Sequence, residues 1–178
     1  MTTQEIQSSS SMQEVLDAYP GAQRALMRRY HIGGCSHCGF DLSDHLDDVL
    51  AKHHVLNVAE VVEYIKTSHE QEQRLQVSPH ALAELLKGET APRLIDVRQP
   101  EEQALVKLEG ALPLTQELGQ EMMTKWSKDT PIVFYCHHGI RSLEAASYFI
   151  GNGFTRVRSL SGGIDAWALE IDTSLPRY

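Results

Sequence analysis

Two units of different class are expected in this chain: an α/β unit over residues 75–178, a parallel sheet with helices on both faces, and before it a small all-α unit over 11–67. Three observations carry the expectation. Ile132-Val133-Phe134-Tyr135 is a short, bulky apolar run of the kind that forms a buried parallel strand, and Leu94-Ile95-Asp96-Val97 reads as another. Stretches of helical spacing alternate with these runs, which is the pattern of a sheet whose strands are joined by helices. Upstream, residues 12–65 repeat apolar positions close to helical spacing. The stretch 68–74, Ser-His-Glu-Gln-Glu-Gln-Arg, loses the apolar stripe and is read as a linker, either open or as an exposed helix continuing from the one before.

The totals narrow the classes. The 178 residues, 42% apolar and 22% charged, describe an ordinary soluble globular protein, and no segment is long and apolar enough to span a bilayer. Residues 1–10 are polar, lack the apolar core of a signal peptide and are expected to be a disordered start. A net charge of -8 argues against nucleic acid as a general partner. Three cysteines do not make a disulfide framework, so the expected compartment is the cytoplasm, with no membrane partner.

In the N-terminal unit, Met12, Val15, Leu16, Tyr19, Ala22, Leu26 and Met27 are interrupted by Pro20-Gly21, which predicts two short helices or one that breaks there. His31-Ile32-Gly33-Gly34 closes the second. Ser43 is expected to cap a helix carrying Leu46, Val49 and Leu50, and Asn57 one carrying Val58, Val61, Val62 and Ile65. So thin a core calls for support from a homodimer partner, from the second unit or from a metal. Three uses are open to the Cys35-Ser36-His37-Cys38 turn. It can act as a redox pair that accepts sulfur. It can be half of a zinc or iron–sulfur site, completed by His31, His37 and His45 or by a second chain. Or it can be a pair of idle, reduced thiols.

In the second unit Ser78 is a cap followed by Pro79 at the first helical position, Leu82, Leu85 and Leu86 form the buried face, and Gly88 ends the helix. The strand at 94–97 follows, then a helix around 122–126, then Ile132–Tyr135 with Pro131 at its start. From Ser142, taken as an N-cap, Leu143, Ala146, Phe149 and Ile150 share a helical stripe, and the last strand falls within 154–160. Parallel sheets of this kind carry function at the carboxyl ends of their strands, and Cys136 is at such an end. Gly139 can take a left-handed backbone there and turn amide groups toward a guest, while the helix N-terminus and Arg141 supply positive charge. Each favours thiolate over thiol, so Cys136 reads as a nucleophile. A buried structural cysteine is the alternative, and neighbours as polar as His137, His138 and Arg141 speak against it.

Cys136-His137-His138-Gly139-Ile140-Arg141-Ser142 resembles the Cys-x-x-Gly-x-Arg-Ser loop of single-domain rhodaneses. Leu94-Ile95-Asp96-Val97-Arg98 with Pro100-Glu101-Glu102, and Leu160-Ser161-Gly162-Gly163-Ile164-Asp165-Ala166-Trp167, resemble two further motifs of that family in the right order. The departure is Lys107-Leu108-Glu109-Gly110-Ala111, where the family commonly has His-Ile-Pro-Gly-Ala. The resemblance implies a rhodanese-like fold and a sulfurtransferase that takes sulfane sulfur from thiosulfate or a persulfide onto Cys136 and passes it to a thiol acceptor, with no cofactor required. It implies substrate contacts from His137, His138, Gly139, Ile140, Arg141 and Ser142, with Asp96 and Arg98 supporting the loop. For the two histidines, backbone donation with rings in solvent and a part in substrate selection or proton delivery both stay open. Four residues separate Cys136 from Arg141, against five in cysteine phosphatases, which disfavours a phosphatase or arsenate reductase on the same scaffold. Residues 12–65 are similar to a small helical domain, through Tyr19-Pro20-Gly21, the Cys35 to Cys38 turn and Asp41-Leu42-Ser43-Asp44-His45-Leu46, whose relatives accompany sulfur, disulfide and iron-centre proteins. The alternative function is a sulfane-sulfur sensor whose N-terminal unit binds a partner or metal.

Overall fold

The computed structural model describes residues 6–33 and 39–178, in two compact units, 1–74 and 75–178. Cys35 and Cys38, with the redox and metal readings attached to them, lie outside the described residues. Among the described residues no helix is long and apolar enough to cross a membrane.

The first unit is helical. α1 (Met12–Ala18) opens on a reciprocal cap, Glu14 N–H donating to Ser11 Oγ and Ser11 N–H to the Glu14 carboxylate. Pro20-Gly21 does divide this stretch, and α2 (Ala22–Tyr30) ends at His31 in a left-handed conformation, φ 58°. α3 (Leu46–Lys52) is not capped by Ser43. Residues 41–44 close a turn through Asp44 N–H to the Asp41 carbonyl, so His45 becomes the residue before the helix. Residues 6–10 are ordered rather than a disordered start. Ile6 is buried in the core, and the carbonyls of Ser10 and Ser8 accept from Leu46 and Asp47 N–H, two donors that α3 cannot satisfy itself. α4 (Val58–Leu75) begins on Asn57, whose side chain accepts from Glu60 N–H at 3.2 Å, and runs on through 68–74. Its Glu72 is buried under a two-point pair from Arg24, at 2.6 and 3.2 Å, which the polar sequence of this stretch conceals. Val15, Leu26, Leu46, Leu50, Val61 and Ile65 meet in the core.

The second unit alternates strand and helix: β1 (Gln76–Val77), α5 (Pro79–Leu86), β2 (Arg93–Asp96), α6 (Pro100–Leu105), β3 (Leu112–Pro113), α7 (Gln116–Lys125), β4 (Ile132–Tyr135), α8 (Ile140–Gly151), β5 (Val157–Leu160) and α9 (Gly163–Glu170). Its five strands are parallel in the order β1-β5-β4-β2-β3, with Asp96 beside Tyr135 and Phe134 beside Ser159 in register. Ser78 caps α5 through Ala81 N–H, with Pro79 at the first position. All four residues of central β4 are buried because each face of the sheet is covered. Ile132 and Phe134 pack with Met122, Ala146 and Phe149, while Val133 and Tyr135 pack with Leu82, Leu160 and Ile164. This central strand delivers Cys136 to the carboxyl edge of the sheet.

Candidate active site

Cys136 follows β4 directly and is buried, 1% exposed. Its Sγ accepts the Gly139 N–H at 3.1 Å and the Ser142 hydroxyl at 3.5 Å. The turn that brings these donors back depends on two glycines. Gly139 takes φ 91° as the residue before α8, and a Cβ on it would stand 3.0 Å from Gly162 N and 3.1 Å from the Leu160 carbonyl. Gly163 takes φ 63°, and a Cβ on it would overlap the Cys136 and His137 carbonyls. Those carbonyls instead accept Ile164 N–H at 2.8 Å and Asp165 N–H at 3.1 Å, so the first turn of α9 holds the loop from behind. The N–H groups of Ile140, Arg141 and Ser142, in the first turn of α8, have no partner four residues back and give this end of the helix its positive character.

Ser142 was expected as the N-cap of this helix and as a substrate contact. The left-handed Gly139 starts α8 earlier, so Ser142 lies within the first turn and is wholly buried beneath the sulfur. Its hydroxyl oxygen accepts from the hydroxyl of Ser159 on β5, 2.8 Å away and equally buried.

Asp96 and Arg98 form a buried pair at the end of β2, with Arg98 Nε and Nη2 donating to the carboxylate at 2.9 and 2.6 Å. Tyr135, the residue before Cys136, donates its hydroxyl to the same carboxylate at 2.8 Å and accepts Leu108 N–H. No hydrogen bond joins Asp96 or Arg98 to Cys136; the connection runs through Tyr135. Burial and the Asp96 charge push the Tyr135 hydroxyl up, which keeps it a donor. Burial works against the Arg98 cation, and its bonds to Asp96 and Tyr178 outweigh that and raise it. Around the Lys107 departure, Leu108 is buried, and Gly110 takes φ 73° in open space.

Arg141 is not a free cation over the loop. Both its terminal nitrogens donate to Glu102, at 2.6 and 2.7 Å, and this bond holds the Glu102 carboxyl down at about 2. His137 is sandwiched between His138, with ring centres 3.8 Å apart, and Tyr178, 4.2 Å apart. Burial first, and then the neighbouring His138, lower the His137 imidazole, so its neutral form is favoured. His138 is exposed, with Nδ1 3.9 Å from Asp165, and the Ile140 side chain is exposed as well. Tyr178 accepts from Arg98 at 2.8 Å and donates to Glu102 at 3.1 Å, joining the Asp96 brace to the Arg141 anchor.

Sequence reasoning missed Tyr135, Ser159, Glu102 and Tyr178 as members of this site. For Ser159 there was a signal: it shares a face with Val157, so a hydroxyl occupies a position that strand periodicity assigns to the core. For Tyr178 the partners are 76 and 80 residues away and leave no local trace.

The family profile of the rhodanese-like domain matches residues 78–170. A thiosulfate sulfurtransferase GlpE from Actinobacillus pleuropneumoniae serotype 5b is 32% identical over 102 residues, covering 56% of this chain and 94% of that protein. A protein of the same name from Vibrio cholerae serotype O1 is 33% identical over 85 residues, covering 48% and 80%. Among solved structures, the human single-domain sulfurtransferase TSTD1 is similar with a TM-score of 0.46 at 26% identity, over 54% of this chain and 96% of that one. The profile takes in the strand, the loop and the glycine pair that hold Cys136, and the chain belongs to the rhodanese-like domain family.

Proposed function

We propose that this protein is a sulfurtransferase in which Cys136 takes the outer sulfur of thiosulfate or of a persulfide and hands it to a small thiol. The observation that carries the reading is the sulfur of Cys136 at a helix N-terminus, accepting one amide and one hydroxyl, in a loop with one residue fewer between cysteine and arginine than the cysteine phosphatases have, which disfavours a phosphatase. In the first half-reaction the Cys136 thiolate attacks the sulfane sulfur of thiosulfate. An S–S bond forms, the S–SO₃ bond breaks, and sulfite leaves with the electron pair. In the second, a thiol attacks the outer sulfur of the Cys136 persulfide, giving the acceptor's persulfide and regenerating the Cys136 thiolate. The amides of the α8 turn stabilise charge on the outer sulfur between the two steps. Gly139 and Ile140 place that turn, His137 and His138 wall the mouth, and Arg141 is held by Glu102 as part of the frame.

Intact mass before and after thiosulfate tests this. The expected gain is one sulfur, mapped to the Cys136 peptide and discharged by a thiol. The Cys136→Ser variant should gain none. Sulfur found elsewhere, or loading by that variant, would remove Cys136 from the role.

A further inference from the structure

Ser142 and Ser159 are both wholly buried, one in the first turn of α8 and one on the core face of β5 between Val157 and Leu160. A buried hydroxyl is stable only where its proton has an acceptor. Among the described residues, the two hydroxyls have only each other and Cys136 Sγ as side-chain partners. Only one direction then satisfies both protons: Ser159 donates to Ser142, and Ser142 donates to Sγ. The reverse leaves the Ser159 proton with nothing to meet. Ser159 therefore occupies the Ser142 oxygen and turns its proton toward the sulfur.

The strength of that last bond depends on the charge of Sγ. A thiolate is a strong acceptor, and the inner sulfur of a persulfide, neutral and bonded on both sides, is a weak one. Resting on the sulfur-transfer reading above, we propose that the Ser159–Ser142 relay serves the second half-reaction, as a donor to Sγ when it departs as thiolate, with Ser159 as the positioning residue. When a thiol attacks the outer sulfur, the Sγ–S bond breaks, its electron pair goes to Sγ, and the Ser142 hydroxyl bond strengthens as the charge arrives. That interaction is made in the transition state and not in the loaded ground state, so it speeds discharge. During loading the thiolate already holds the bond before it attacks, so the relay gives that step no advantage.

The test separates the two half-reactions on the full chain. Loading is followed by quenched intact mass after mixing with thiosulfate at pH 8, and discharge by mixing preloaded, desalted protein with dithiothreitol. Ser159→Ala should slow discharge about tenfold, the worth of one hydrogen bond to a charged group, with loading changed by no more than about twofold. The Ser142→Ala, Ser159→Ala double variant should discharge no more slowly than Ser142→Ala alone, because Ser159 acts only through Ser142. Equal slowing of both half-reactions would show a merely structural role and overturn the proposal, as would unchanged discharge. If the alanine variant melts far below the parent, Ser159→Thr, which keeps the hydroxyl, decides: discharge near the parent rate supports the relay, and discharge as slow as alanine's ends it. Failure of the parent protein to load sulfur would instead defeat the sulfur-transfer reading itself.

Discussion

Replacing Gly163 with alanine should cost this protein both stability and its active loop. The backbone there sits at φ 63°, a region that costs an L-residue about 1 kcal/mol. The new Cβ would overlap two backbone oxygens, those of Cys136 and His137, and neither belongs to a flexible side chain that can swing away. Relief needs the loop and the start of α9 to part by about 1 Å, in an interior packed too closely to absorb it. That movement weakens the Ile164 and Asp165 N–H bonds to those carbonyls, each worth about 1 kcal/mol. Together the penalty is about 3 kcal/mol, or a fall in melting temperature on the order of 10–20 °C for a unit of this size. Since the displaced carbonyl belongs to Cys136 itself, sulfur loading should drop about 100-fold, the usual cost of a misplacement of this size. Thermal unfolding followed by circular dichroism, and loading by intact mass, measure the two effects. Gly119→Ala is the control: it lies in α7, where a new Cβ would meet nothing within 4 Å, so it should raise the melting temperature slightly. A Gly163→Ala protein that melts and loads like the parent would refute the assignment of α9 as the backing of the loop.

Two further expectations concern titration. The Glu102 carboxyl is held near 2 by Arg141, below the unfolded value of about 4.3, so the pair's contribution is complete at neutral pH and fades as pH falls through the folded value. Because Arg141 is 42% exposed, that contribution is screened to about 1 kcal/mol or less. Urea midpoints of the parent and Glu102→Gln should therefore differ at pH 7 and converge as the pH is lowered toward 2; a constant gap would mean that the ion pair is idle. His137 is lowered by burial between His138 and Tyr178, so its neutral form stabilises the fold above about pH 6.5, and that contribution is lost as pH falls below it. Tyr178→Ala should raise the His137 midpoint seen by proton NMR, whereas Tyr178→Phe, which keeps the ring, should leave it low.

What the sequence disclosed, and what it hid, follows the range of the interactions. Ile132–Tyr135 reads as a buried strand because both faces of β4 are covered, and Ser78-Pro79 and Asn57 read as helix starts because capping involves only the next three residues. Ser43 and Ser142 show the limit of the same rule. Each precedes an apolar stripe, but a turn over 41–44 moves one helix start later and the left-handed Gly139 moves the other earlier. Glu72 looks solvated until Arg24, 48 residues away, covers it. The turn that follows β4, with Cys136 at its head and Gly139 in a left-handed conformation, was legible from seven consecutive residues. The rest of the frame was not, since Glu102, Ser159 and Tyr178 reach it from three separate parts of the chain.

The place of β4 in the strand order has a consequence for how the site is lost. With β5 on one side and β2 on the other, and helices on both faces, the backbone amides of Ile132–Tyr135 exchange with solvent only through the largest openings of the fold, while the two-residue edge strands β1 and β3 fray first. Native-state hydrogen exchange should then rank the strand leading into Cys136 among the slowest segments of its unit. Cys136 is thus carried by one of the slowest-opening parts of its unit, and local breathing at the edge strands leaves β4 in place.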